Sequence, residues 1–137
     1  MLDVVATATG QRQEQQTIRV LVVDDEPKVL SALCEMLKSA GHTVTPAPSG
    51  AAGLAAYAPG RFDMVLSNLG MAGMNGWQLV ERLRAADRAV PILFITGWGL
   101  RQEDKSRLAV LGVRRCLYKP VQPGELDAAI QETLATA

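Results

Sequence analysis

The chain carries no excess charge of either sign: fourteen Lys and Arg residues balance fourteen Asp and Glu among 137 positions. Without a field of one sign it has no general means of attracting nucleic acid or an anionic membrane surface, and neither is expected as a partner. Long hydrophobic runs are missing too. Arg, Asp, Lys or Gly interrupts each apolar stretch before it reaches the roughly 18 residues that a membrane span needs. Cysteine is scarce: Cys34 and Cys116 stand far apart and match no metal-ligand spacing. They read as reduced core thiols of a cytoplasmic protein rather than as a disulfide. A basic n-region is absent from the start, "MLDVVATATGQRQEQQ", which turns Gln-rich and is expected to be a flexible tail or linker over residues 1–16. What remains, residues 17–137 with 48% apolar content over the whole chain, suffices for one ordinary core and one domain.

From Thr17 onward short β-branched runs alternate with helical stretches. "IRVLVV", residues 18–23, is nearly all apolar and predicts a strand buried on both faces. Pro27 suits a first helical turn, Val29, Leu30, Leu33 and Leu37 recur at helical spacing, and Gly41 closes the helix. "HTVTPA" is a second strand, with Pro46 pointing to a sheet edge. Ser49 is placed to cap a short Ala-rich helix ending by Pro59 and Gly60. "FDMVLS" is the third strand, and Asn75 with Gln78 forms a capping box for "GWQLVERLRAAD". "PILFIT", a "GWG" turn and a helix over residues 101–111 stopped by Gly112 come next. "VRRCLY" is the fifth strand, and Pro123 opens a last helix. Five strand-helix units in alternation predict a parallel sheet covered by helices on both faces.

In such a sheet ligands bind at the carboxyl ends of the strands. Those ends carry Asp24, Asp25 and Glu26 after the first strand, Ser67 and Asn68 at the third, Thr96 at the fourth and Lys119 at the fifth. Strand ends are often polar simply because they are exposed. Adjacent carboxylates facing one lysine are nevertheless costly unless something cationic is bound, and a hard divalent ion such as Mg²⁺ suits oxygen ligands of this kind. The turn "DDEP" is not Gly-rich and would repel a pyrophosphate, which argues against a dinucleotide.

The stretches "VLVVDDEPKVLSAL", "FDMVLSNLGMAGMNGW", "PILFITGWG" and "CLYKP", in this order and spacing, resemble the receiver domain of bacterial two-component response regulators. The resemblance covers about residues 18–134. It implies a flavodoxin-like, doubly wound α/β fold with a five-stranded parallel sheet of order 2-1-3-4-5 and five helices. It also implies a phosphorelay role: a Mg²⁺-dependent site that takes a phosphoryl group from a histidine kinase or phosphotransfer protein and passes the signal to an effector protein. By resemblance, Asp24 and Asp25 are the acidic metal-binding pair, Gly70 supplies a carbonyl ligand, Thr96 is the hydroxyl that turns toward the phosphoryl group, and Lys119 pairs with that group. The family's Lys-Pro bond is typically cis, which implies the same for Lys119 and Pro120.

Three positions depart from the family pattern. Asn68 stands at the phosphoacceptor aspartate, Ala72 at the proline of the following turn, and Cys116 at the switch aromatic of the fifth strand. An amide is neither an anionic nucleophile nor a precursor of an acyl phosphate, so phosphorylation at position 68 is not expected. Ser67 should face away from the pocket, because neighbouring strand side chains alternate. With one carboxylate fewer, Mg²⁺ should bind more weakly, the amide oxygen remaining able to coordinate. The metal-free protein should be more stable than its Asn68→Asp counterpart by ~1 kcal/mol. Cys116 is too small to report a switching movement, although Trp98 and Tyr118 lie nearby, and Ala72 should loosen its loop.

The resulting reading is a non-enzymatic, receiver-like module that binds proteins without accepting phosphate. One alternative is an ordinary phospho-accepting receiver with an engineered Asp-to-Asn change. An Asp-nucleophile phosphatase on a similar fold would need two aspartates separated by one residue, which "DDE" lacks. A DNA-binding output would lie in another domain or a partner, since no helix-turn-helix follows the receiver-like part.

Overall fold

A computed structural model describes residues 17–135; the expected tail over residues 1–16 lies outside the described residues. The elements run β1 (Arg19–Val23), α1 (Pro27–Ser39), β2 (Thr43–Ala47), α2 (Gly50–Ala56), β3 (Met64–Asn68), α3 (Gly76–Ala86), β4 (Ile92–Thr96), α4 (Gln102–Leu111), β5 (Arg115–Tyr118) and α5 (Pro123–Ala135). All strand pairs are parallel and their order is β2-β1-β3-β4-β5, the flavodoxin-like arrangement. β2 is an edge strand, and Pro46 sits in it opposite Val22. A missing N–H is tolerated there because no further strand calls for it.

Residues 20–23 have no exposed surface because both faces of β1 are covered. Val20 and Val22 pack into one apolar cluster with Leu33 and Leu37 of α1 and Leu126 and Ile130 of α5. Leu21 and Val23 pack into the other with Leu79, Val80 and Leu83 of α3. Period-two alternation therefore divides the core between α1 and α5 on one face and α2 to α4 on the other. Burying each such Leu or Val contributes about 1.5–3 kcal/mol. α4 is the weakest member: none of its residues is buried, although Leu108 and Leu111 lie against the second cluster.

The local signals act as the spacing predicts. Ser49 accepts a hydrogen bond from Ala52 N, and Asn75 and Gln78 form a reciprocal capping box. α4 begins one residue later than expected, at Gln102, with Asp104 accepting from Arg101 N. Gly112 ends it in the left-handed region at φ 70°, where a Cβ would be strained.

Candidate functional site

The topology brings the ends of β1, β3, β4 and β5 to one edge. Asp24 follows β1 and is fully buried. Its Oδ1 accepts from Glu26 N at 2.9 Å and from Asn68 Nδ2 at 3.3 Å. Its Oδ2 lies 3.4 Å from Lys119 Nζ and has no hydrogen-bond partner in good geometry. An uncompensated carboxylate at such a position would be expensive; the ammonium of Lys119 and the two N–H donors make it tolerable. Lys119 is shared, since its Nζ also reaches Glu26 Oε1 at 3.0 Å. Asp25 turns outward and its Oδ2 accepts from Ala72 N at 3.0 Å, tying the loop after β3 to the end of β1.

Asn68 closes β3 and is 4% exposed. Its Nδ2 donates to Gly70 O at 2.9 Å as well as to Asp24 Oδ1. Both neighbours are pure acceptors, so the amide must present its nitrogen, not its oxygen, to them. Beside it, the Oγ of buried Ser67 donates to the Asn68 carbonyl at 2.9 Å. The site thus holds Asp24, Asn68, Gly70 and Lys119 in one connected polar cluster, with Asp25 and Glu26 at its rim.

Thr96 is fully buried at the end of β4, but its Oγ1 accepts from Trp98 N at 3.3 Å. Its link to the cluster is through the backbone, where Lys119 N donates to Thr96 O at 2.8 Å. The Lys119-Pro120 bond is cis. Cys116 does not join the cluster. It pairs with Phe94 across the sheet and packs against the second core cluster. Burial pushes its thiol up to about 11, so it is protonated and unreactive at neutral pH. Cys34 is likewise free and buried.

Two features were not foreseen from the residues. Glu26 shares Lys119 with Asp24, for which the run of three acids was the only signal. Trp98, 54% exposed, lays its ring over Gly70: a Cβ built there would fall 2.1 Å from Trp98 Cη2. Only glycine admits that contact. Among the described residues, no group of three or more His, Cys, Asp or Glu side chains is arranged to hold a metal ion. Nor is any helix long and apolar enough to cross a membrane.

The profile of the response regulator receiver domain matches residues 20–131. The virulence sensor protein BvgS of Bordetella pertussis is 34% identical over 96% of this chain, which spans only 11% of that sensor's length. Protein PilH of Pseudomonas aeruginosa is 34% identical over 85% of this chain and 98% of its own. Among solved structures, the chemotaxis protein CheY4 of Vibrio cholerae superposes with a TM-score of 0.78 at 29% identity, covering 86% of this chain and 99% of that one. With the fold and these matches in agreement, the chain belongs to the response regulator receiver domain family of two-component signalling.

Proposed function

We propose that this receiver module signals by binding protein partners and takes up no phosphoryl group at position 68. The observation that carries the proposal is the state of Asn68: a buried amide whose nitrogen is engaged by Asp24 Oδ1 and Gly70 O. Phosphoryl transfer to a receiver needs an anionic oxygen in line with the donor, and an amide hydrogen-bonded through its nitrogen offers none. Ser67 is no substitute, because its hydroxyl is committed to the neighbouring carbonyl. In this reading Asp24 and Asp25 are the acidic pair, Lys119 is the phosphoryl-pairing lysine, Thr96 is the switch hydroxyl, and Cys116 stands where the switch aromatic would be. Ala72 and Cys116 are two further departures that a single engineered change at position 68 does not account for. The partners are a histidine kinase or phosphotransfer protein, or a downstream effector.

Receiver domains typically bind Mg²⁺. Asp24, Asp25 and the Gly70 carbonyl have the oxygen chemistry for it. As folded, the set does not fit, because Asp24 Oδ1 and Gly70 O face an amino group, which leaves Asp24 Oδ2 as the one oxygen among the Asp24 carboxylate and the Gly70 carbonyl without a hydrogen bond.

The test is intact mass after incubation with acetyl phosphate and Mg²⁺, on this chain and on Asn68→Asp. The unaltered chain should show no adduct. An adduct on it would overturn the proposal; an adduct on the aspartate variant alone would support it and show that the rest of the pocket is competent.

A further inference from the structure

We infer that the amino group of Asn68 stands in for the divalent cation toward Asp24 Oδ1 and Gly70 O, so that this receiver's pocket holds these two oxygens without metal. The inference extends the proposed reading from the phosphoryl group to the ion, and it is tested without a phosphodonor, so the two can fail separately. A hard cation at this edge would gather oxygens from the end of β1 and from the loop after β3. Here one nitrogen gathers them. An amide NH₂ has two protons, and Asn68 Nδ2 has two acceptors, Gly70 O at 2.9 Å and Asp24 Oδ1 at 3.3 Å. The second oxygen of Asp24 faces Lys119 Nζ at 3.4 Å, and Asp25 Oδ2 accepts from Ala72 N. Asp24 Oδ1, Gly70 O and Asp25 Oδ2 thus already accept from donors supplied by the chain, and Asp24 Oδ2 has only the longer ion-pair contact with Lys119.

Admitting a cation would require the Asn68 amide to rotate by half a turn, giving up both bonds while its NH₂ sought new acceptors in a buried place. On its outer side Gly70 lies directly against the ring of Trp98.

The experiment compares the EDTA-stripped chain with Asn68→Asp and Asn68→Ala in MgCl₂ titrations at constant ionic strength, read by calorimetry and by thermal midpoint. The unaltered chain should bind at least about tenfold more weakly than Asn68→Asp, from the loss of one charge and two hydrogen bonds. The alanine variant separates the causes. It has the same formal charge as the parent and no amide, so it should bind Mg²⁺ more tightly than the parent if the amino group blocks the site. Weaker binding by Asn68→Ala would mean that the amide oxygen is a ligand and would overturn the inference, as would parent affinity within about threefold of Asn68→Asp. Should Asn68→Ala fail to fold, the side-chain NH₂ signals of Asn68 in NMR spectra of the parent decide: unmoved by Mg²⁺ they support the inference, and shifted saturably they overturn it.

Discussion

Replacing Asn68 by aspartate in metal-free protein should destabilise the fold by more than a comparison of formal charges suggests. The substitution removes an NH₂ that donates to Gly70 O and Asp24 Oδ1 and puts a carboxylate against a carbonyl and a carboxylate. Two lost hydrogen bonds account for about 2 kcal/mol. Two like charges near the observed 3.3 Å separation repel by about 5 kcal/mol at an effective dielectric of about 20. The new carboxyl can escape by taking up a proton. From an ordinary value of about 3.9, that costs about 4 kcal/mol at pH 7 and about 1.5 kcal/mol at pH 5. Lys119, already 3.4 Å from Asp24, recovers part of the loss, leaving about 3 kcal/mol at neutral pH. Because the folded variant holds the proton more tightly than the unfolded chain, its deficit must grow as pH rises and shrink toward pH 5. Urea unfolding of both proteins in EDTA at the two pH values measures this. An aspartate variant as stable as the parent at pH 7, or a deficit that does not shrink at pH 5, would refute the assigned amide orientation.

Three further outcomes follow from the packing. Gly76→Ala should lower stability by about 1–3 kcal/mol, since the added Cβ would lie 2.7 Å from Asn68 O and 2.8 Å from Leu69 Cα, backbone that cannot give way; an unchanged thermal midpoint would contradict it. Arg84→Met should lose about 2–3 kcal/mol in urea unfolding, because the guanidinium donates to Leu111 O at 2.7 Å, Val90 O at 2.8 Å, Gly112 O at 3.2 Å and Asp87 O at 3.3 Å, binding the end of α3 to the end of α4. A loss below about 0.5 kcal/mol would show that water replaces these bonds without penalty. His42 is held below its ordinary 6.5 by burial, against the opposing pull of Asp127, and its Nδ1 accepts from Ile18 N at 3.1 Å, so the folded ring is neutral. The unfolded chain takes up the proton first, so this contribution is complete above about pH 6.5 and is lost as pH falls through and below it. The His42→Gln variant should flatten that part of the unfolding midpoint profile, and an undiminished slope would rule the histidine out as its source.

Most of the architecture could be read from local chemistry because each element announces itself within a few residues. The run from Val20 to Val23 is apolar at every position and rich in β-branched residues, as a strand covered on both faces requires. Pro46 pointed to an edge, and β2 is one. Ser49, Asn75 and Gln78 carry their capping partners within three residues. α4 was legible mainly from its stop, Gly112, since its sequence has little apolar periodicity and the structure buries none of its residues. The convergence of Asp24, Asn68 and Lys119 was legible too, but through topology: a parallel sheet places the carboxyl ends of its strands on one edge whatever their separation in the chain.

The orientation of Asn68 was not legible, for a physical reason. The oxygen and nitrogen of an amide have the same shape, and the choice between them is made by Asp24, 44 residues away, and by the Gly70 carbonyl. From the sequence the amide counted as a weakened ligand, its oxygen still available. With its nitrogen turned inward it becomes a donor that satisfies acceptors otherwise calling for a cation. The same logic applies to Trp98, which reads as part of a glycine-rich turn until its ring is found against Gly70. Aspartate at position 68 would therefore do more than supply an anionic oxygen. It would remove two internal hydrogen bonds and leave facing carboxylates, so the variant would need a cation, or a proton, to regain the stability that the amide supplies by itself.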